Sequence, residues 1–215
     1  MDIVYADKDN KENHEKLLQL NPLGQVPVFV GADGHVLTEC IPIALYRTCL
    51  PHPSLPEPVS FPHRIDVQKV TSQCDTTPLL GSSRRDYYNI LKWMSQANSD
   101  LLPAVGGVIL PLIGRHVAVR MNGEDCLRAF YTHCRLLEKH LQANRYLLGG
   151  QPTLADFFTV GVLVFPFMVF HTVLHAEYPR LTEWFNAVYE VPMFKDVAGD
   201  LHLLDVPFPR LPEDQ

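Results

Sequence analysis

The stretch that decides the fold is Asn21-Pro22-Leu23-Gly24-Gln25-Val26-Pro27-Val28-Phe29-Val30, followed after a turn by Leu37-Thr38-Glu39-Cys40-Ile41-Pro42-Ile43. Its prolines and Gly24 predict a loop, and residues 26–30 form the short apolar run typical of a buried strand. Asp33-Gly34 predicts a hairpin turn into a second strand over 35–38, and Pro42 is typical of the first turn of a helix. A cis peptide before Pro27 would turn the main-chain groups of Val26 outward, to hold an extended peptide.

These residues resemble the cytosolic glutathione transferase family, in which Asn-Pro-x-Gly-x-Val-Pro and a later Glu-Ser pair bind glutathione. The resemblance implies that Val26, before Pro27, pairs its main chain with the cysteinyl unit of glutathione. It also implies that Glu39 and the start of its helix hold the γ-glutamyl carboxylate, because a helix N-terminus favours an anion. A generic αββ unit with a proline turn is the alternative interpretation.

Two further residues belong to this predicted site. Cys40 occupies the position of the family's serine, and the change weakens the anion site because a thiol is a poor hydrogen-bond donor. Asp100 lies near the place where, in several branches of the family, an acidic residue of the partner subunit contacts the γ-glutamyl amine; an ordinary surface carboxylate is equally compatible with the sequence. The glutathione-binding residues implied by the resemblance are Gln25, Val26, Pro27, Glu39, Cys40 and Asp100.

Composition narrows the class of protein. The net charge of −6 argues against nucleic acid or an anionic membrane as a partner. The longest apolar stretch, 157–170, is too short to span a bilayer and predicts a buried core helix. The N-terminus lacks the pattern of a signal peptide. Five cysteines without a Cys-x-x-Cys pair fit inert thiols in a reducing compartment, so the chain is expected to be cytoplasmic.

The chain is predicted to be an α+β protein with two domains. Residues 51–62 contain five prolines and predict a linker. A thioredoxin-like glutathione-binding domain is expected over 1–50 and an all-helical domain over 63–215. Within the latter, apolar spacing predicts helices at 86–94, 126–141 and 181–188, and Thr153 with Asp156 predicts a capping box. Such a box resembles the start of the family's long core helix.

The resemblance also implies that the thioredoxin-like domain lacks the usual first β-α unit. Met1–Ala6 matches the family's second strand and His14–Leu20 its second helix. In the family, the first unit supplies the hydroxyl or thiol that stabilises the glutathione thiolate, so no catalytic residue is assigned. Tyr5 falls in the strand and not at a helix N-terminus. A sheet edge left open in this way would favour pairing with a second chain, and a homodimer is expected.

Three functions are compatible with the sequence. The favoured one is a glutathione-dependent enzyme acting on a hydrophobic electrophile or conjugated alkene, by S-transfer or by trans/cis isomerisation, with the loop Leu101–Val119 as one wall of the substrate pocket. The chain resembles the fungal branch related to the elongation factor 1B gamma subunit, including secondary-metabolism members such as the pseurotin-pathway isomerase type. The alternatives are a non-catalytic scaffold of the gamma-subunit type and a redox role for Cys40. Cys40 is more simply explained as a small residue that fills the space of the family's serine.

A metal site is not expected. His171 and His175 are four residues apart, a spacing that a metal site on a helix can use. No third ligand lies near them in the sequence, and histidines near a helix end more often interact with its last carbonyl groups.

Overall fold

The computed structural model describes Val4 and residues 10–32, 34–49, 78–115 and 122–204. The chain divides into two units, 1–74 and 75–215. The predicted linker at 51–62 and the predicted strand Met1–Ala6, apart from Val4, lie outside the described residues. The domain limits 1–50 and 63–215 therefore stay predictions.

The first unit follows the predicted order of helix, loop, hairpin and helix. Helix α1 spans Lys11–Leu20, strands β1 and β2 span Val28–Val30 and Val36–Thr38, and helix α2 spans Cys40–Cys49. The strands pair antiparallel, with Val28 opposite Thr38 and Val30 opposite Val36. The Phe29 and Tyr46 rings lie 5.6 Å apart and so pack β1 against α2. Asp33 of the predicted turn lies outside the described residues.

The described part of the second unit is mainly helical, with non-helical segments that include 144–153 and 199–204. A π-helical turn at Ala97–Leu101 separates α3 from α4. The buried side chains of this unit come from every one of its helices except the last. The helices are α3 Arg84–Gln96, α4 Leu102–Leu112, α5 Gly123–Ala143, α6 Leu154–Glu177, α7 Pro179–Tyr189 and α8 Pro192–Ala198.

The prediction of a loop over Leu101–Val119 is wrong for most of that range. Residues 102–112 form α4, which packs against α5 and buries Ala104, Val105 and Ile109. Pro103 lies in the first turn, where a missing N–H costs nothing. The two glycines at 106 and 107 disfavour a helix by about 1 kcal/mol each, and the packing of the buried face outweighs that cost. Residues 116–119 lie outside the described part.

Helix α6 is the core helix that the sequence predicts. The argument that its apolar stretch is too short to span a bilayer is wrong. It runs for 24 residues and has a mean hydropathy of 2.1 in its most apolar window, so it meets the length and composition of a membrane-crossing helix. It packs against α3, α4 and α7 and buries Val160, Leu163, Phe167 and Leu174. Its non-helical Phe170 marks a kink four residues after Pro166, and the Met168 carbonyl accepts from the Leu204 N–H at 2.6 Å.

The predicted capping box at α6 is confirmed, and it belongs to a larger network. Asp156 is fully buried. Its carboxylate accepts from the Thr153 N–H and hydroxyl at 2.8 and 2.9 Å, from the Leu147 N–H at 2.8 Å, and from the Trp184 Nε1–H at 2.9 Å. One side chain therefore joins the start of α6 to the preceding loop and to α7.

Helix α7 has a cap that comes from a distant part of the chain. The Glu138 carboxylate on α5 accepts from the N–H groups of Arg180 and Leu181, at 3.3 and 2.8 Å. These groups lie in the first turn of α7 and have no acceptor within the helix. A carboxylate there also interacts favourably with the helix dipole.

The described cysteines of the second unit behave as the sequence predicts. Cys126 and Cys134 are fully buried. Burial raises the pKa of both thiols, and the charge of Asp125 adds to the effect at Cys126. A thiol with a raised pKa is a poor nucleophile at neutral pH, so these two cysteines are packing residues.

Replacing Asp156 with alanine should strongly destabilise the second unit. The change leaves the Leu147 N–H, the Thr153 N–H and the Trp184 Nε1–H buried without an acceptor, and each such group costs about 1–3 kcal/mol. We expect a loss of at least about 3 kcal/mol in urea unfolding. Asp125→Ala, at an exposed site in the first turn of α5, is the control and should cost about 1 kcal/mol or less. Equal losses in the two variants would contradict the network.

Gly81→Ala should also destabilise the second unit, by blocking the start of α3. Gly81 has a φ of +76°, and an added Cβ would lie 2.3 Å from the Asp86 Cβ. Asp86 accepts from the Ser82 N–H at 3.0 Å, the main reason its pKa is lowered. We expect a loss of more than about 2 kcal/mol in urea unfolding, from backbone strain and overpacking together.

Gly149→Ala is the matched control for Gly81→Ala. Gly149 has a φ of +61° and open space around the added Cβ, so only the backbone strain of about 1–2 kcal/mol applies. If Gly81→Ala lowers the free energy of unfolding by no more than Gly149→Ala does, the contact of the added Cβ with Asp86 is relieved without cost.

Candidate functional site

An open cleft of about 380 Å³ lies in the first unit, between the loop after α1 and the residue before α2. The structure brings four of the six predicted site residues to this cleft. Two more residues of the Asn-Pro-x-Gly-x-Val-Pro motif, which were not among the six predicted site residues, complete the lining. The lining residues are Asn21, Gly24, Gln25, Val26, Pro27 and Glu39.

Asn21 shapes the loop that forms one side of the cleft. Its side chain is only 6% exposed. Its Nδ2 donates to the Gln25 carbonyl at 2.9 Å, and its Oδ1 accepts from the Leu23 N–H at 3.2 Å. Its own carbonyl accepts from the Gly24 N–H at 2.8 Å. This is the local turn chemistry for which asparagine is favoured, and the Asn-Pro-x-Gly spacing is the sequence signal that could have identified it.

Gly24 is required by the same loop. Its φ is +63°, and a Cβ at this position would lie 3.2 Å from the Leu18 Cδ2. Both the conformation and the space favour glycine. The loop can therefore fold back onto α1 and leave the main chain of residues 25–27 facing the cleft.

Val26 offers its main chain to the cleft. The Val26–Pro27 peptide bond is cis, and the Val26 side chain is 69% exposed. Within the part of the chain that the structure describes, no hydrogen bond to the main chain of Val26 is formed. Its N–H and C=O can therefore pair with an extended peptide, as a strand edge does.

Glu39 lies across the cleft, next to the first turn of α2. It is exposed and has a φ of +70°, a conformation that a residue with a side chain rarely adopts. Such conformations concentrate at binding sites. The cleft thus contains a carboxylate, which accepts from cationic groups, and it lies beside the start of α2, where helix N–H groups favour anions. A ligand with an amino-acid-like, zwitterionic end matches this combination.

Cys40 and Asp100 stand apart from the cleft lining. Cys40 is the first residue of α2, half-buried, and follows Glu39 directly. Asp100 is an exposed residue of the π turn in the second unit. Burial lowers the pKa of the nearby His133, and the charge of Asp100 opposes this effect. The predicted contacts of Cys40 and Asp100 with glutathione stay predictions.

The two histidines considered as metal ligands, His171 and His175, belong to no ligand cluster in the described ranges. Within residues 10–32, 34–49, 78–115 and 122–204, no three His, Cys, Asp or Glu side chains cluster as metal ligands would. His171 contacts the Thr172 hydroxyl at 3.2 Å through Nε2. Tyr5 lies outside the described residues.

Asn21→Asp should loosen the loop without changing the size of the side chain. The carboxylate keeps the acceptor for the Leu23 N–H but loses the donor to the Gln25 carbonyl. In the variant a carboxylate oxygen faces the Gln25 carbonyl oxygen, and the hydrogen bond to that carbonyl is lost. Such a loss costs about 1–3 kcal/mol. We therefore expect the amide hydrogens of Leu23 and Gly24 to exchange roughly 10–100 times faster in mass-spectrometric exchange. Gln19→Ala on the exposed face of α1 is the control, and equal exchange in both variants would show that Asn21 does not hold the loop.

Both halves of the chain match profiles of one known protein family. The family profile for the N-terminal domain of glutathione S-transferase matches residues 2–46, and the profile for the C-terminal domain matches residues 120–187. The first match contains the whole cleft, and the second contains α5, α6 and most of α7.

Two fungal relatives and one solved structure agree with this assignment. The chain is 40% identical to glutathione S-transferase mdpJ of Emericella nidulans, over 99% of this chain and 84% of the relative. It is 34% identical to glutathione S-transferase stcT of the same organism, over 94% and 82%. The crystal structure of the transferase-like domain of Saccharomyces cerevisiae elongation factor 1-gamma matches with a TM-score of 0.67 and 26% identity, over 90% of this chain and 81% of that chain. The chain therefore belongs to the glutathione S-transferase family.

Proposed function

We propose that the cleft binds glutathione and that the protein is an enzyme that uses the bound thiol on a hydrophobic electrophile. The observation that carries the proposal is the gathering of Gln25, Val26, Pro27 and Glu39 around one cleft in a member of this family. A domain that only holds other proteins together does not require such a cleft, and the cleft therefore favours the enzyme.

The chemistry of glutathione matches the cleft group by group. The γ-glutamyl end carries an ammonium and a carboxylate, which suit the Glu39 carboxylate and the N–H groups at the start of α2. The cysteinyl unit has one main-chain N–H and one C=O, which suit the main chain of Val26 at the cleft. Bound in this way, the tripeptide is held by its backbone and its sulfur stays available for reaction.

The reaction is nucleophilic attack by the glutathione thiolate. Its thiol pKa is close to that of cysteine, about 8.5, so a few per cent is ionised at pH 7. In S-transfer by substitution, the carbon–sulfur bond forms as the leaving group departs with its bonding electrons. In S-transfer by addition to an alkene, the carbon–sulfur bond forms, the π bond breaks, and the resulting carbanion takes up a proton. In isomerisation, the thiolate adds to a conjugated alkene, the new single bond rotates, and elimination restores the alkene and free glutathione. Alignment of the two reactants contributes several kcal/mol to either reaction.

The fungal relatives favour small-molecule chemistry over translation. Two relatives named as glutathione S-transferases match at 40% and 34% identity, against 30% for elongation factor 1-gamma 1 of Saccharomyces cerevisiae, of which the match covers 41%. We place the protein in fungal secondary metabolism, in the cytoplasm and as a homodimer, with Asp100 of one subunit directed to the glutathione of the other. The trans/cis isomerase type is the more specific form of this proposal.

Two alternatives each have a structural feature in their favour. The similarity in fold to the elongation factor 1-gamma domain, with a TM-score of 0.67, favours a non-catalytic scaffold. The position of Cys40 at the first residue of α2 favours a thiol that attacks oxidised glutathione, forming a mixed disulfide and releasing one reduced glutathione. The scaffold requires no glutathione affinity, and the redox function would be lost in a Cys40→Ser variant.

Titration calorimetry with reduced glutathione tests the proposal. We expect the full chain to bind with a Kd between micromolar and millimolar, and Glu39→Gln to weaken binding at least tenfold, or about 1.4 kcal/mol, because the ammonium loses its carboxylate. Glu15→Ala, an exposed acid on α1, is the control and should bind as the unmodified protein does. If none of the proteins produces heat or a thermal shift, the enzyme is excluded and the scaffold remains.

A binding-competent protein can then be assayed with a trans-configured conjugated alkene. A mass increase equal to that of glutathione identifies transfer. Formation of the cis alkene with glutathione unchanged identifies isomerisation.

A further inference from the structure

The side of helix α6 that points away from its buried side is also apolar. Residues that recur every three or four positions share one side of a helix, and on this side each of them is exposed or half-buried. Phe165 is 59% exposed, and residues 157–176 contain no Asp, Glu, Lys or Arg. A helix that is apolar all round is usually buried all round, so we expect this side to be covered. Its residues, which we call the outer face of α6, are Phe158, Gly161, Val162, Phe165, Met168 and Val169.

The chain itself returns to the outer face after its last helix. The Leu204 N–H donates to the Met168 carbonyl at 2.6 Å, and Met168 belongs to the outer face. The side chains of Leu203 and Leu204 are 53% and 50% exposed. The segment that follows Leu204 therefore begins at the outer face, beside further exposed apolar surface.

This following segment has a sequence suited to an apolar surface. It reads Asp205-Val206-Pro207-Phe208-Pro209-Arg210-Leu211-Pro212, and its placement lies outside the described residues. Each of its large apolar residues precedes a proline, and a residue in that position is biased toward an extended conformation. Its three prolines have no N–H, so fewer donors would lose their water on an apolar surface.

The segment is also long enough to cover the outer face. At about 3.1 Å per residue in a proline-rich extended chain, eight residues reach about 25 Å. The outer face from Met168 back to Phe158 is about 15 Å long, at 1.5 Å per residue.

We propose that segment 205–212 binds along the outer face of α6, with Phe208 and Val206 packed on Phe165 and Val162. Burial of these side chains supplies the driving force. The prolines limit the conformations of the free segment, so ordering it costs less entropy.

The bond at Leu204 favours this occupant over a second protein molecule. A segment tethered at the edge of a surface has a local concentration on the order of millimolar, which a free partner must exceed to displace it. The inference goes beyond the proposed function and does not depend on glutathione binding.

Urea unfolding of the full chain tests the contact by a double-mutant cycle. Both tryptophans, Trp93 and Trp184, belong to the second unit, so their fluorescence follows the unfolding of that unit. Phe208→Ser should raise the unfolded-to-folded ratio roughly fivefold in the unmodified protein. In a Phe165→Ser background the same change should raise the ratio less than twofold, because its partner is already missing. Phe165→Leu replaces Phe165→Ser in the cycle if the serine variant does not fold.

Tyr88→Ser provides the matched control background. Tyr88 is an aromatic residue of α3 that is 57% exposed, close to the exposure of Phe165. Phe208→Ser should keep its roughly fivefold effect in this background, since distant sites act independently.

Three results would overturn the proposal. Phe208→Ser without effect on stability would show that the segment does not bind. An equal effect of Phe208→Ser in the Phe165→Ser and Tyr88→Ser backgrounds would place the segment elsewhere. A lower mass of Phe165→Ser in sedimentation, with Phe208→Ser unchanged in mass and stability, would assign the outer face to a second copy of the chain.

Discussion

The carboxylate of Asp156 is the point at which three parts of the helical unit are joined. It lies in the first turn of α6 and is fully buried, yet four donors from the loop, the cap and α7 satisfy it. A buried charge without such donors would be costly. The direction in which α6 enters the core, and the position of Trp184 against it, both depend on this carboxylate.

The cleft of the first unit is built on a different principle. Its order comes from one asparagine that holds its own loop through bonds to residues two to four positions away. Short-range bonds of this kind need no distant partner, so the site can keep its shape wherever the surrounding helices lie. On the opposite side of the cleft, Glu39 is also held locally, since its carbonyl accepts from the Ile43 N–H at 3.3 Å and its φ of +70° sets the direction of the chain before α2.

This difference explains what the sequence could predict. The cleft was predictable because its residues are contiguous or lie just across one hairpin, and each has a preference that turn and cap chemistry make visible. The contacts of Asp156 with Thr153 were predictable for the same reason, because the two residues are three positions apart. The bond to Trp184 was not, because 28 residues separate the partners. Helix α4 was missed because its glycines and prolines oppose a helix locally, and only packing against α5 decides the outcome.

The distant cap of α7 has a consequence for the order in which the second unit folds. Helix α6 carries its start signal in its own sequence, since Thr153 and Asp156 are three residues apart. The first turn of α7 instead relies on Glu138, more than forty residues earlier. Its cap can form only after the chain between has closed a loop and α5 has come into place, and such closure has an entropic cost. Formation of α7 is therefore coupled to the assembly of the bundle, while α6 can begin before it.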